Sequence, residues 1–184
     1  ADLLKKNENF GGFARSSYAS VDRSAAATLA LAGRNERWQG LILSSHHRGH
    51  EVQNKGSNGV ENLDRTKPNP VDYNSAYFLG KAYLQLNAAH KLGLTVETQK
   101  RKQETEVYSA RARAPLAASS TIDLDTRDRV ERDRVLLEHH YTDLNALYMQ
   151  RAQTKLYWQS AQTRQLSVED RNTSPDRTRD NRYQ

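Results

Sequence analysis

Asp125 to Leu166, DTRDRVERDRVLLEHHYTDLNALYMQRAQTKLYWQSAQTRQL, is the stretch on which the fold turns. Val130, Leu137, Tyr141, Leu144, Tyr148, Ala152, Leu156 and Gln159 recur at three-to-four spacing, with Leu136, His140, Leu147 and Arg151 alongside. That period predicts one long amphipathic helix from Asp125 or Thr126 to about Gln165. Asp123, Asp125 and Asp128 would complement the positive end of its dipole. At about 1.5 Å per residue such a helix runs roughly 60 Å, longer than a domain of this size needs. A helix of that length predicts packing against another chain, with Tyr141, Leu144, Tyr148, Arg151, Tyr157 and Trp158 as interface candidates.

Working outward, Asp72 or Asn74 caps a second expected helix through Leu92, with Gly93 as its stop. Its Tyr77, Leu79, Tyr83, Leu84 and Leu86 cover more than one face, which places it centrally. Another helix is expected from Val96 to about Ala114, ended by Pro115, and residues 115–124 read as a linker. Tyr18, Val21, Ala25, Leu29 and Ala32 give helical spacing up to Gly33. Trp38, Leu41, Ile42 and Leu43 form a short apolar run compatible with either helix or strand. Residues 54–71 read as a loop, residues 1–13 as an arm, and residues 14–166 as the helical domain. The tail, residues 167–184, has almost no apolar side chains and would not order alone. Neighbouring subunits are expected to hold it through Arg177, Arg179, Arg182 and Tyr183. The expected fold class is therefore all-α: a helical bundle with a long C-terminal helix, an extended N-terminal arm and a C-terminal tail.

Composition narrows the function classes. The 184 residues are 36% hydrophobic and contain no cysteine, which excludes disulfides, thiolate metal sites and cysteine nucleophiles. No run approaches the roughly 18 apolar residues of a spanning helix, so no membrane span and no leader are expected. The net charge is +6, from 28 basic and 22 acidic groups. That surplus is spread thinly, and Asp128, Arg129, Glu131, Arg132, Asp133 and Arg134 illustrate the mixing. Interleaved signs predict solvated faces and local ion pairs, not a nucleic-acid stripe.

The motifs point to no reaction. His46, His47 and His50 are the one cluster with metal-ligand spacing, but the zincin pattern needs an acid where His47 stands. Surface histidines are the expectation there. Asp123, Asp125 and Asp128 lack the glycine and the final acid of a calcium loop. Leu79-Gly80-Lys81-Ala82-Tyr83 matches only half of a tetratricopeptide pattern and does not recur. No phosphate loop, dinucleotide fingerprint or serine elbow is present. The expectation is a non-enzymatic chain with no catalytic residue, cofactor or metal.

The segment YNSAYFLGKAYLQLNAAHKLGLT (73–95), followed by YSARARAP (108–115), resembles the helical core of head-to-tail adaptor proteins of short-tailed bacteriophages. The resemblance implies a structural homo-oligomer, a head-tail connector or internal core component of a virion. Its partners would be its own copies and portal or tail proteins, and its location the virion, or the host cytoplasm before assembly. The alternative is an RNA-binding accessory subunit of a ribonucleoprotein.

Overall fold

A computed structural model of the chain describes residues 3–4 and 7–184. It contains eight strands: β1 (Phe10–Ala19), β2 (Ser24–Arg34), β3 (Trp38–His50), β4 (Val71–Gln85), β5 (His90–Glu106), β6 (Thr121–Thr142), β7 (Arg151–Arg171) and β8 (Arg177–Tyr183). All pair antiparallel with their sequence neighbours in one sheet, in the order β1 to β8. The only helical piece among the described residues is a short 3₁₀ turn, Tyr108–Ala110. The expected all-α bundle is overturned: this is an all-β chain. Of the expected arm, Ala1, Asp2, Lys5 and Lys6 lie outside the described residues, and Phe10–Phe13 open β1.

The long helix is a hairpin. Tyr141 pairs with Ala152, Leu137 with Leu156 and Val135 with Trp158 across β6 and β7. Leu144 and Tyr148, which continued the supposed stripe, lie in the connecting turn. Leu137–Tyr141 and Ala152–Leu156 are both four apart, and a spacing of four fits a strand face as well as a helix face. The expected helix 72–92 is β4 with the start of β5, and Gly93 is a strand residue, not a stop. The supposed helix 96–114 is the rest of β5 and the loop beyond it, and the supposed helix 14–32 is β1, a turn and β2. The polar tail is not loose either: residues 167–171 finish β7, and β8 pairs with it from Glu169–Arg177 to Thr163–Tyr183.

Turn chemistry explains where the chain reverses. Asn35 Oδ1 accepts from the amides of Arg37 and Trp38 at 2.9 and 2.7 Å. Asn87 Oδ1 does the same for Ala89 and His90, both at 3.0 Å, and Asp143 Oδ1 takes the Asn145 amide at 3.0 Å. Such side chains replace the backbone bonds that a reversal leaves unmade. These three connections (35–37, 86–89 and 143–150) share one end of the sheet. Connections 20–23, 51–70, 107–120 and 172–176 share the other, and the two longest are there.

The register sorts the side chains onto two unequal faces. Every buried strand residue among those described lies on one face: Ser24, Ala30, Ala32, Gly49, Gly93, Thr95, Glu97 and Glu138. The sheet therefore curls around that face, which is concave. Among the described residues only Ala30 and Ala32 form a buried apolar core, and no large side chain is fully buried. The accessible surface, 13080 Å² for 21.0 kDa, compares with roughly 9,000 Å² for a water-soluble globular chain of that mass.

Candidate functional site

The convex face carries the large apolar side chains. Two adjacent cross-strand rows run Phe10–Gly33–Gly40–Ala82–Leu94–Leu137–Leu156 and Gly12–Leu31–Ile42–Gly80–Val96–Val135–Trp158. Trp38, Leu84 and Leu92 extend them toward the short turns, and Leu29 and Phe78 extend them the other way. These are exposed: Ile42 55%, Leu137 53%, Leu156 67% and Trp158 59%. Phe13, Ile122, Val130, Tyr157 and Tyr183 are exposed apolar residues of the opposite face, in the end strands or beyond the rows. Gly33, Gly40 and Gly80 floor a shallow groove of about 670 Å³ between Phe10, Ile42 and Phe78. At the short-turn border Tyr141 and His139 flank His90, with ring centroids 5.1 and 5.2 Å away.

The concave face is polar and ion-paired at its centre. Glu97 takes Arg132 at 2.7 Å and Arg134 at 2.9 Å. Tyr77 stands beside this triad, and burial first, then the Glu97 charge, pushes its hydroxyl above the usual tyrosine range. Two rows nearer the short turns, Glu138 accepts from Tyr83 at 3.3 Å and pairs with Lys155 at 3.2 Å. Burial, then Glu138, raises Tyr83 as well. Near the long-loop end the Tyr73 hydroxyl donates to Asp22 at 2.7 Å and lies 3.3 Å from His47 Nε2. This network is what a sheet face needs when it is enclosed yet wet: charges kept, but each answered.

The two longest connections are folded onto each other. The Leu63 amide donates to the Arg111 carbonyl at 3.0 Å, and Ser109 and Asn69 exchange bonds at 3.0 and 2.8 Å. Arg111 pairs with Glu61 and, at 2.8 Å, with Asp123, while its guanidinium covers the Tyr108 ring at 4.3 Å.

The interface candidates are dispersed. Tyr141 and Trp158 are on the convex face, Tyr157 and Arg151 on the concave one, and Leu144 and Tyr148 stand exposed in the turn 143–150. On β8, Arg182 faces outward against Asp180 at 3.0 Å, whereas Arg177 pairs with Glu169 at 2.8 Å and shares the concave face with Arg179 and Tyr183. His46 and His50 share the convex face, and His47 points away from them. Among the described residues no group of three or more His, Asp or Glu is placed to hold a metal. Sequence reading missed Glu97, Arg132, Arg134 and Glu138 as a set. The signal was there in Lys91-Leu92-Gly93-Leu94-Thr95-Val96-Glu97, which alternates strictly.

No protein-family model matches the chain, and no curated protein is similar to it. No described helix is long and apolar enough to cross a membrane, which leaves strands untested as spanning elements.

Proposed function

We propose that this chain forms wall of a membrane-spanning β-barrel, with lipid against the convex face and water against the concave one. The observation that carries the reading is the inverted amphipathicity. Exposed Leu, Ile, Val and Trp lie outside, and the Glu97 and Glu138 ion pairs lie inside. A sheet in water does the reverse. In lipid, only closed barrels and helices satisfy every backbone group, and barrel strands alternate apolar-out and polar-in. The span from His90 to Thr98 matches the roughly 9 to 11 residues of a tilted spanning strand. The Tyr141–His90–His139 cluster and Trp38 sit where barrels place aromatic girdles, and the short-turn, long-loop asymmetry is also theirs. Closure requires a partner for the outer edges of β1 and β8, each paired on one side only among the described residues. A water-filled passage lined by Tyr77, Glu97, Arg132 and Arg134 is the function this geometry supports. The test is folding of the full chain into phospholipid vesicles: strand content that forms with lipid and is lost without it is expected. A chain equally folded and monodisperse in buffer alone contradicts the proposal.

A second reading keeps the chain as a non-enzymatic subunit of a large assembly, such as a bacteriophage virion component. It draws on the same two free edges, which would then pair between subunits. Lipid-free particles of ring-sized mass would favour it.

A further inference from the structure

Beyond the apolar band, the convex face carries a row of basic residues set directly opposite one another, whereas the acidic counterparts Asp72 opposite Glu104 and Glu106 opposite Asp125 are isolated pairs. Lys102 lies opposite Arg129, Arg129 opposite Arg164, and Arg164 opposite Arg182, so four basic residues cross β5 to β8 in one line. Arg48 continues that line on β3, beyond Asn74. The neighbouring rows are built differently. On the side of the band Lys100 faces Glu131, and on the far side Glu104 faces Arg127 and Asp72 lies 2.7 Å from His50. Like charges directly opposite destabilise a sheet, so a row of them calls for an anion. Asp180 answers part of it, accepting from Arg164 at 2.8 and 2.9 Å and from Arg182 at 3.0 Å. Arg129 reaches Glu131 only at 4.0 Å. Lys102 and Arg48 are exposed and make no ion pair with any described residue.

The height of this row identifies the missing anion. Arg48, Lys102 and Arg129 each lie six residues along their strands from Ile42, Val96 and Val135 of the apolar rows. Six strand residues cover about 20 Å, or about 14 Å in height at a tilt of about 45°. From there long Lys and Arg side chains lean back along the wall toward the layer of lipid headgroups if the apolar band lies in hydrocarbon. We infer that Arg48, Lys102 and Arg129 form a docking belt for the phosphate-bearing headgroups of anionic lipids. This inference rests on the barrel reading. Guanidinium and ammonium groups suit phosphate, and each basic side chain near an anionic lipid surface adds to retention.

The experiment uses the full chain in bilayers of equimolar phosphatidylglycerol and phosphatidylcholine, with retained lipid counted by native mass spectrometry. The chain is expected to enrich phosphatidylglycerol by about thirtyfold, the scale of two basic residues near an anionic surface. Lys102→Gln with Arg129→Gln should bring retention close to parity while far-UV dichroism stays unchanged, because the substitutions relieve repulsion. Arg179→Gln, on the concave face, should leave the enrichment intact. Parity in the parent chain, or undiminished enrichment in the double variant, overturns the inference. Binding of a single-stranded RNA oligonucleotide that the double variant loses, without lipid preference, assigns the row to nucleic acid and also overturns it. Tryptophan quenching by brominated phosphatidylcholine in the same samples separates the two failures. Quenching without headgroup preference removes the belt alone, and absence of quenching removes the barrel reading with it.

Discussion

Tyr157 and Trp158 are neighbours in sequence and point to opposite sides of β7. Trp158→Arg places a charge in the apolar band and is expected to cost about 2 to 4 kcal/mol of stability in a bilayer. Tyr157→Arg, on the wet side, should stay within about 0.5 kcal/mol. Urea unfolding from vesicles measures both, and equal costs would contradict the assignment of faces. Glu97→Gln leaves Arg132 and Arg134 without their carboxylate. Because both guanidinium groups keep partial contact with water, a loss of about 1 to 3 kcal/mol is expected, read as a lower urea midpoint. Asp180 titrates low, at about 2, because hydrogen bonds from Arg164 and then Arg182 stabilise its charged form. Its folded value lies below the ordinary aspartate value of 3.8, so its contribution is present above about pH 4 and is lost as pH falls toward 2. Amide protection in Thr178–Arg182, taken relative to the intrinsic exchange rate at each pH, should therefore fall over that window. Asp180→Asn should show the lowered protection already at neutral pH; pH-independent protection of β8 in the parent chain would refute this.

Two hairpin partners share one device at the element scale. Tyr83 lies opposite Gly93 and Tyr73 opposite Gly49, and each ring fills the space a side chain would take. A Cβ on Gly93 would meet Tyr83 Cε1 at 2.6 Å, so the ring must move off Glu138 to admit it. Gly93→Ala is expected to cost about 1 to 3 kcal/mol, with the β4–β5 amides losing protection first. An unchanged midpoint would show that Tyr83 is free to swing away. The elements themselves were only partly legible. Residues 91–97 spell a strand, and Asn35, Asn87 and Asp143 mark reversals, but β6 does not read as one. Between Thr126 and Arg134 Val130 is the one apolar residue, since this part lies beyond the apolar band, and a strand wet on both sides has no alternation to read. Arg, Glu and Asp favour or tolerate helix locally, and cross-strand pairing with β5 and β7 overrides that preference. The concave ion pairs were legible only in part: the alternation of residues 91–97 sets Glu97 on the side away from Leu92, Leu94 and Val96, but it does not supply its partners. Glu97 lies far in sequence from Arg132 and Arg134, and only the register brings them together.

At the scale of the whole molecule, the low apolar fraction fits the proposed barrel wall. A barrel wall needs one apolar row set and no core, so 36% hydrophobic residues suffice when lipid covers them. The thinly spread +6 is likewise an average over unlike regions: paired charges inside, a basic row outside that Asp180 answers only in part, and interlaced loops at one end. The chain has two tryptophans, and both Trp38 and Trp158 are on the convex face. Their fluorescence tests the central claim directly. In vesicles of acyl-brominated phosphatidylcholine the full chain should show blue-shifted emission, strongly quenched by bromine and protected from aqueous acrylamide. Emission that acrylamide quenches freely and brominated chains leave untouched would contradict the account.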